Sequence, residues 1–208
     1  MNRIIDINSW NRKEVYDFFR AFDEPYFGIT AQVDVTIAYQ TAKASGISFF
    51  LWYLHKSLCA VNQIPALKYR IVDQQVVEYN SIHASATINR EDGSFGFSFI
   101  VFDQDFEVFN ENAQKEIHRI RTTNQLFPER NGADCVHCSS LPWINFTALS
   151  HARSYKNKDS VPKISFGKMT REGLQLSMPF SVHVHHGLVD GKDVGAFYEL
   201  FQELLNRQ

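Results

Sequence analysis

The stretch Ser177–Phe197, SMPFSVHVHHGLVDGKDVGAF, decides how the rest of the chain is read. It carries three histidines within four positions, then an Asp-Gly pair, then a helix-like run. Residues two apart in a strand share a face, so His183 and His185 point one way and His186 the other. Three readings are open at this point: a metal site, a catalytic base with its supports, or a strand that happens to contain histidine.

Metal is the weakest of the three. Two histidines on one face need a third ligand from elsewhere, and the sequence names none. Cys135 and Cys138 have the C-x-x-C spacing of half a zinc site, but no second pair accompanies them. Two ordinary thiols in a loop is the favoured reading there. General-base chemistry fits better. His186 sits where a strand gives way to a loop at Gly187, a place from which a side chain reaches substrate while the sheet holds it still. A neutral imidazole near pH 7 suits proton abstraction from a hydroxyl. Asp190, just before Gly191 and the last helix, is either support for that base or a turn aspartate at a helix N-terminus. No phosphate-binding glycine loop and no G-x-S-x-G nucleophile elbow occurs.

Outward from this stretch, the periodicities predict alternating elements. Val15, Phe18, Phe19 and Phe22 lie at helical spacing in Asn11–Phe22, with Asn11 and Glu14 spaced as a capping box. Ile29, Ala31, Val33, Val35 and Ile37 alternate as one face of a strand. A helix over Phe49–Asn62 is apolar nearly all round and so buried. Leu67–Asn80, Ile82–Phe102 and Lys163–His185 read as hairpins, the second turning at Asp92-Gly93 and the third at Gly173. Asn110–Asn124 is a polar helix. Cys138–Leu149 is a strand broken by Pro142, Ser154–Ser160 is loop, and Val194–Leu205 is an amphipathic helix. This pattern predicts an α+β fold, a mixed sheet with helices against one face, in a single domain spanning 1–208.

Composition agrees. The chain has 208 residues, and 44% hydrophobic content supports a sizeable core without disulfides or metal. The 18 phenylalanines point to an aromatic interior and an apolar cavity. A net charge of −2 gives no electrostatic case for nucleic acid or an anionic membrane. Three cysteines, no secretory h-region and no long apolar run predict a cytoplasmic protein with reduced thiols.

HHGLVDG (His185–Gly191) matches the HHxxxDG signature of coenzyme A-dependent acyltransferases. MPFSVHVHHGLVDGKDVGAFYELFQELL resembles the C-terminus of the chloramphenicol acetyltransferase family. DINSWNRKEVYDFF (Asp6–Phe19), with Trp10 and Arg12 in matching places, resembles its N-terminal segment. AVNQIPALKYRI (Ala60–Ile71), LFPE (Leu126–Glu129) and CSSLPWINF (Cys138–Phe146) match further blocks in the same order. The resemblance covers nearly the whole chain.

That resemblance implies a homotrimer with sites between subunits, acetyl-CoA as co-substrate and no metal. It implies His186 as general base and Ser139 as donor to the oxyanion, against the plainer reading of Ser139 as a strand-edge serine bonded to its own backbone. Asp190 and Arg12 would form an ion pair holding the loop of the base. His185 aligns with the signature's first histidine, which is not the base, and His183 is a structural strand position. Trp143 and Ser165 would line the coenzyme side; Phe18, Phe19, Phe95 and Phe97 the acceptor side. The activity implied is acetylation of a hydroxyl of chloramphenicol, with antibiotic resistance as the associated biology. The alternative is the same transfer to another hydroxylated small molecule. It is motivated by Phe19 where the family carries tyrosine, Gly96 where it carries serine and Phe97 where it carries a small residue. Met169 likewise replaces an aromatic expected near the adenine. A binding protein without chemistry is disfavoured, because His186, Ser139, Asp190 and Arg12 are all present.

Overall fold

In the computed structural model, which describes residues 2–154, 156 and 159–207, the strand expected before His186 runs from Gln175 to His185 (β10). Its alternate side chains Leu176, Met178, Phe180, Val182 and Val184 are all buried in the main core. Each contributes about 1.5–3 kcal/mol by leaving water. β10 pairs antiparallel with β2 (Tyr26–Asp34) along one edge and β8 (Lys163–Phe166) along the other. β8 continues parallel to β7 (Cys135–Ser140), and β7 parallel to β5 (His83–Asn89). The strand β6 (Phe95–Phe97) closes that edge, and β9 (Thr170–Glu172) pairs with the start of β10. The sheet order is thus β2-β10-β8-β7-β5-β6, mixed as expected. A smaller sheet joins β1 (Arg3–Ile4), β4 (Gln75–Glu78) and β3 (Tyr69–Val72).

Helices cover the apolar face. α3 (Phe49–Gln63) is capped by Ser48, whose side chain accepts from Leu51 N–H, and packs on α4 (Phe106–Thr122) and α5 (Gly191–Leu205). Among the described residues no helix is long and apolar enough to cross a membrane.

Three expectations change. Residues 36–44 form a helix, α2 (Thr36–Ala44), not the end of a strand. Asp34 turns the chain by accepting from Thr36 N–H at 2.8 Å, and Gly46, at φ +66°, follows the helix end. The first helix, α1 (Lys13–Phe19), starts at Arg12 with no side-chain cap, so the Asn11 box does not form. Its apolar stripe is not core: Tyr16 is buried while Phe18 is 61% exposed. Finally, Cys135 and Cys138 are buried in β7 and not in a loop, and that strand ends before Leu141. Of the loop expected over Ser154–Ser160, Tyr155, Asn157 and Lys158 lie outside the described residues.

The sheet face opposite the helices is polar. One row across it reads Thr30, Ser181, Ser165, Ser139; the next reads Gly28, His183, Lys163, His137, Ser85. Its groups are paired: Lys163 meets Asp159 at 3.2 Å, and Asp159 accepts from Tyr26 OH at 2.6 Å. Burial pushes the imidazoles of His185 and His151 down to about 4, aided by Arg153 beside the first and His183 beside the second. Nearby, fully buried Arg70 donates to the carbonyls of Leu67, Tyr69, Ala133 and Cys135, tying β3 to the approach to β7.

Two stability predictions follow from these buried groups. Arg70→Met keeps bulk but orphans four carbonyls, and should lower unfolding free energy by about 3 kcal/mol or more in denaturant titration. A loss under ~1 kcal/mol would contradict this account of Arg70. The second concerns pH. A histidine whose folded pKa is depressed takes up its proton more readily when unfolded. Stability is therefore whole above the unfolded value near 6.5 and falls as pH drops toward the folded value. Melting temperature should decline steadily from about pH 6.5 to about pH 4, with His185 alone contributing on the order of 3 kcal/mol. A flat profile over that window would contradict it.

Candidate active site

β10 delivers His185 into the protein and His186 to its edge. His185 Nδ1 accepts from Gly187 N–H at 3.1 Å, so its proton sits on Nε2. The His186 backbone N–H donates to Pro25 C=O at 2.8 Å. Its ring lies flat on Phe19, centroids 4.0 Å apart and planes 8° apart, and leans on Phe27 at 4.5 Å. His186 Nδ1 is buried with no hydrogen-bond partner among the described residues. A buried orphan of this kind calls for a catalytic or intersubunit explanation.

The loop after His186 is braced from both sides. Asp190 Oδ1 accepts from the N–H groups of Lys192 and Asp193, and Asp193 Oδ2 accepts from Asp190 N–H at 3.0 Å, a capping box that starts α5. Arg12 Nη1 donates to Asp190 Oδ2 at 2.9 Å and to Asp193 Oδ2 at 3.4 Å. Burial alone would raise the Asp190 carboxyl; the N–H of Asp193 and the Arg12 guanidinium outweigh it and hold the pKa below the ordinary value. For Asp193 burial prevails and raises it. Asp193 was legible in the D-x-x-D spacing, but not as a partner of Arg12.

Ser139 lies elsewhere, on β7, where two cavities meet. One, of about 320 Å³, is lined by Phe97, Phe127, Asn131, His137 and Lys163 among others. The second, of about 860 Å³, runs past Tyr53, Arg121, Trp143 and Ser165. Thr87, Ser139, His151 and Ala152 line both. The long connection between β7 and β8, residues 141–162, supplies Trp143 and His151. It is pinned by Leu141 N–H to Phe166 C=O and Lys168 N–H to Ile144 C=O, each 2.8 Å. A connection of that length in a compact fold, with no helix or strand among its described residues, is usually functional. Nothing periodic marks His151 in the sequence.

Within one chain the predicted site residues fall into two groups. His186, Phe18 and Phe19 cluster with Phe22, while Ser139, Trp143, Ser165 and Phe97 surround the cavities. Phe95 is exposed and edge-on to Phe97. His186 lines neither of these cavities. Ser139 shares a row with Ser181 two strands away, and His186 follows Ser181 by five residues. The two Cα atoms are therefore on the order of 20 Å apart, far beyond the reach of one proton transfer.

Comparison with known proteins bears on the whole chain. The sequence model described as chloramphenicol acetyltransferase matches residues 1–202. Chloramphenicol acetyltransferase 3 of Escherichia coli is 28% identical over 203 residues, covering 97% of this chain and 95% of that one. A chloramphenicol acetyltransferase of Staphylococcus aureus is 24% identical, covering 98% and 95%. A solved chloramphenicol acetyltransferase superposes with a TM-score of 0.88 at 33% identity, over 99% of this chain and 100% of that one. The cubic core of a pyruvate dehydrogenase multienzyme complex, at 17% identity and a TM-score of 0.62, shares the fold over 88% of this chain and 82% of its own. This chain belongs to the chloramphenicol acetyltransferase family of acyltransferases.

Proposed function

We propose that this chain is an acetyl-CoA-dependent O-acetyltransferase that acetylates a hydroxyl of chloramphenicol by direct transfer. The observation that carries the reading is the position of Ser139 on the wall shared by two cavities. One substrate in each cavity would meet the other there. The larger cavity, with Trp143 and Ser165, takes acetyl-CoA; the smaller, with Phe97, takes the acceptor. A different acceptor is not favoured, since the curated relatives matched over nearly the whole chain are named as chloramphenicol acetyltransferases.

His186 accepts the proton of the acceptor hydroxyl as its oxygen attacks the thioester carbonyl carbon. The carbonyl becomes an oxyanion, to which the Ser139 hydroxyl donates. Collapse breaks the carbon–sulfur bond, and the coenzyme thiolate takes the proton from the imidazolium. Atoms and charge balance without a metal. Among the described residues no group of three or more His, Cys, Asp or Glu side chains is placed to hold one. Arg12 and Asp190 act by holding the His186 loop.

The separation of His186 from Ser139 supports a site completed by a second chain. In a homotrimer of single-domain chains (1–208), the exposed Phe18 and Phe22 beside His186 would cover a neighbour's cavity mouth near Phe95 and Phe127. Phe18 and Phe19 then join Phe95 and Phe97 around one acceptor. Use of acetyl-CoA fits the cytoplasm, and chloramphenicol acetylation fits a resistance role.

The test is release of coenzyme A thiol from acetyl-CoA in the presence of chloramphenicol. Wild type should turn over. His186→Ala should lose about 10²–10⁴-fold in kcat, and Ser139→Ala about 10²–10³-fold. No turnover of chloramphenicol, or an undiminished His186→Ala, would overturn the reading.

A further inference from the structure

His151 stands beside Ser139 on the wall between the two cavities, and the mechanism above leaves it unused. Its Nε2 lies 3.4 Å from the Ser165 hydroxyl. Ser165 is completely buried, and its hydroxyl has no other hydrogen-bond partner among the described residues. A buried hydroxyl proton needs an acceptor, so Ser165 donates to Nε2 and the ring proton is assigned to Nδ1. Ser165 lines the coenzyme-side cavity and not the acceptor-side one. The two ring nitrogens diverge, so Nδ1 is turned away from that wall. It makes no hydrogen bond among the described residues, and it is not among the buried unpartnered atoms.

The ring is also held in place. His183 meets it edge-on, centroids 4.9 Å apart at 89°. His183 in turn lies directly over Gly28, where a Cβ would come within 2.2 Å of its Nε2, so only glycine admits that ring. Ser181 Oγ lies 3.5 Å from His183 Nδ1, and Thr30 donates to Ser181 at 3.0 Å. Burial keeps the His151 ring neutral at pH 7, a fixed N–H donor and not a cation.

We propose that His151 is a specificity-determining residue whose Nδ1–H donates to an acceptor oxygen other than the one acetylated. The site thereby selects small molecules carrying a second hydroxyl beside the reacting one. Chloramphenicol, with a secondary hydroxyl near its primary one, is such a molecule. The inference rests on the acetyl-transfer reading of the same site.

The experiment measures KM for chloramphenicol, KM for acetyl-CoA and kcat in the full-length protein. His151→Phe keeps the ring and loses the donor; His151→Asn keeps an N–H near the Nδ1 position. His151→Phe should raise KM for chloramphenicol about tenfold, the worth of one hydrogen bond. kcat should stay within about twofold, and any rise in KM for acetyl-CoA, from the Ser165 hydroxyl left without its acceptor, should be smaller than that for chloramphenicol. His151→Asn should restore most of the loss. With an analogue lacking the secondary hydroxyl, wild type and His151→Phe should behave alike. An unchanged KM for chloramphenicol in an active His151→Phe overturns this inference and leaves acetyl transfer standing. So does a loss confined to kcat, which would make His151 part of the chemistry. A wild type that does not acetylate chloramphenicol overturns the acetyl-transfer reading, and this inference with it.

Discussion

The two-residue alternation of β10 is the constraint on which the rest depends. A strand paired on both edges cannot rotate, so one set of side chains must enter the core and the other must face away from it. Leu176 to Val184 supply the first set, and five buried apolar groups hold the register. Ser181, His183 and His185 are thereby committed to the opposite face. A slip of one residue would put imidazoles into the helix-covered core and phenylalanine among serines. The same register sets where β10 stops, and so where His186 emerges.

The polar face resolves a tension between folding and chemistry. Buried Lys163, His185 and Ser165 would each destabilise the fold if left alone. The structure satisfies them locally, with Asp159 for the lysine, Gly187 N–H for the histidine and His151 for the serine. Polar groups held this way are pre-oriented, which is what a transfer site needs. The Nδ1 of His186 is buried without such a partner among the described residues, and it lies on the group assigned the proton transfer.

Much of this was legible in the sequence because it is local. Hairpin turns at Asp92-Gly93 and Gly173, the capped helix after Ser48 and the amphipathic last helix all follow from short-range pattern. Local pattern also misled. Val35 and Ile37 continue a strand alternation through what is the start of a helix, because Asp34 turns the chain there by accepting from Thr36 N–H. The stripe on α1 reads as a core face, and in one chain it is surface, since its covering would come from another chain. Contacts between distant residues were beyond periodicity altogether. Arg12 and Asp190 were paired on resemblance alone, and His151 sits in a loop whose course only the fold reveals.

The central claim is that a working site takes His186 from one chain and Ser139 from the next. Mixing two inactive proteins tests it most directly. His186→Ala and Ser139→Ala chains are unfolded together at equal amounts, refolded, and assayed. Random trimers should regain about a quarter of the wild-type sites, since each mixed trimer rebuilds one intact pair. Separately refolded variants should stay inactive. If the mixture is as inactive as its parents while refolded wild type recovers, both residues act within one chain and the account is wrong.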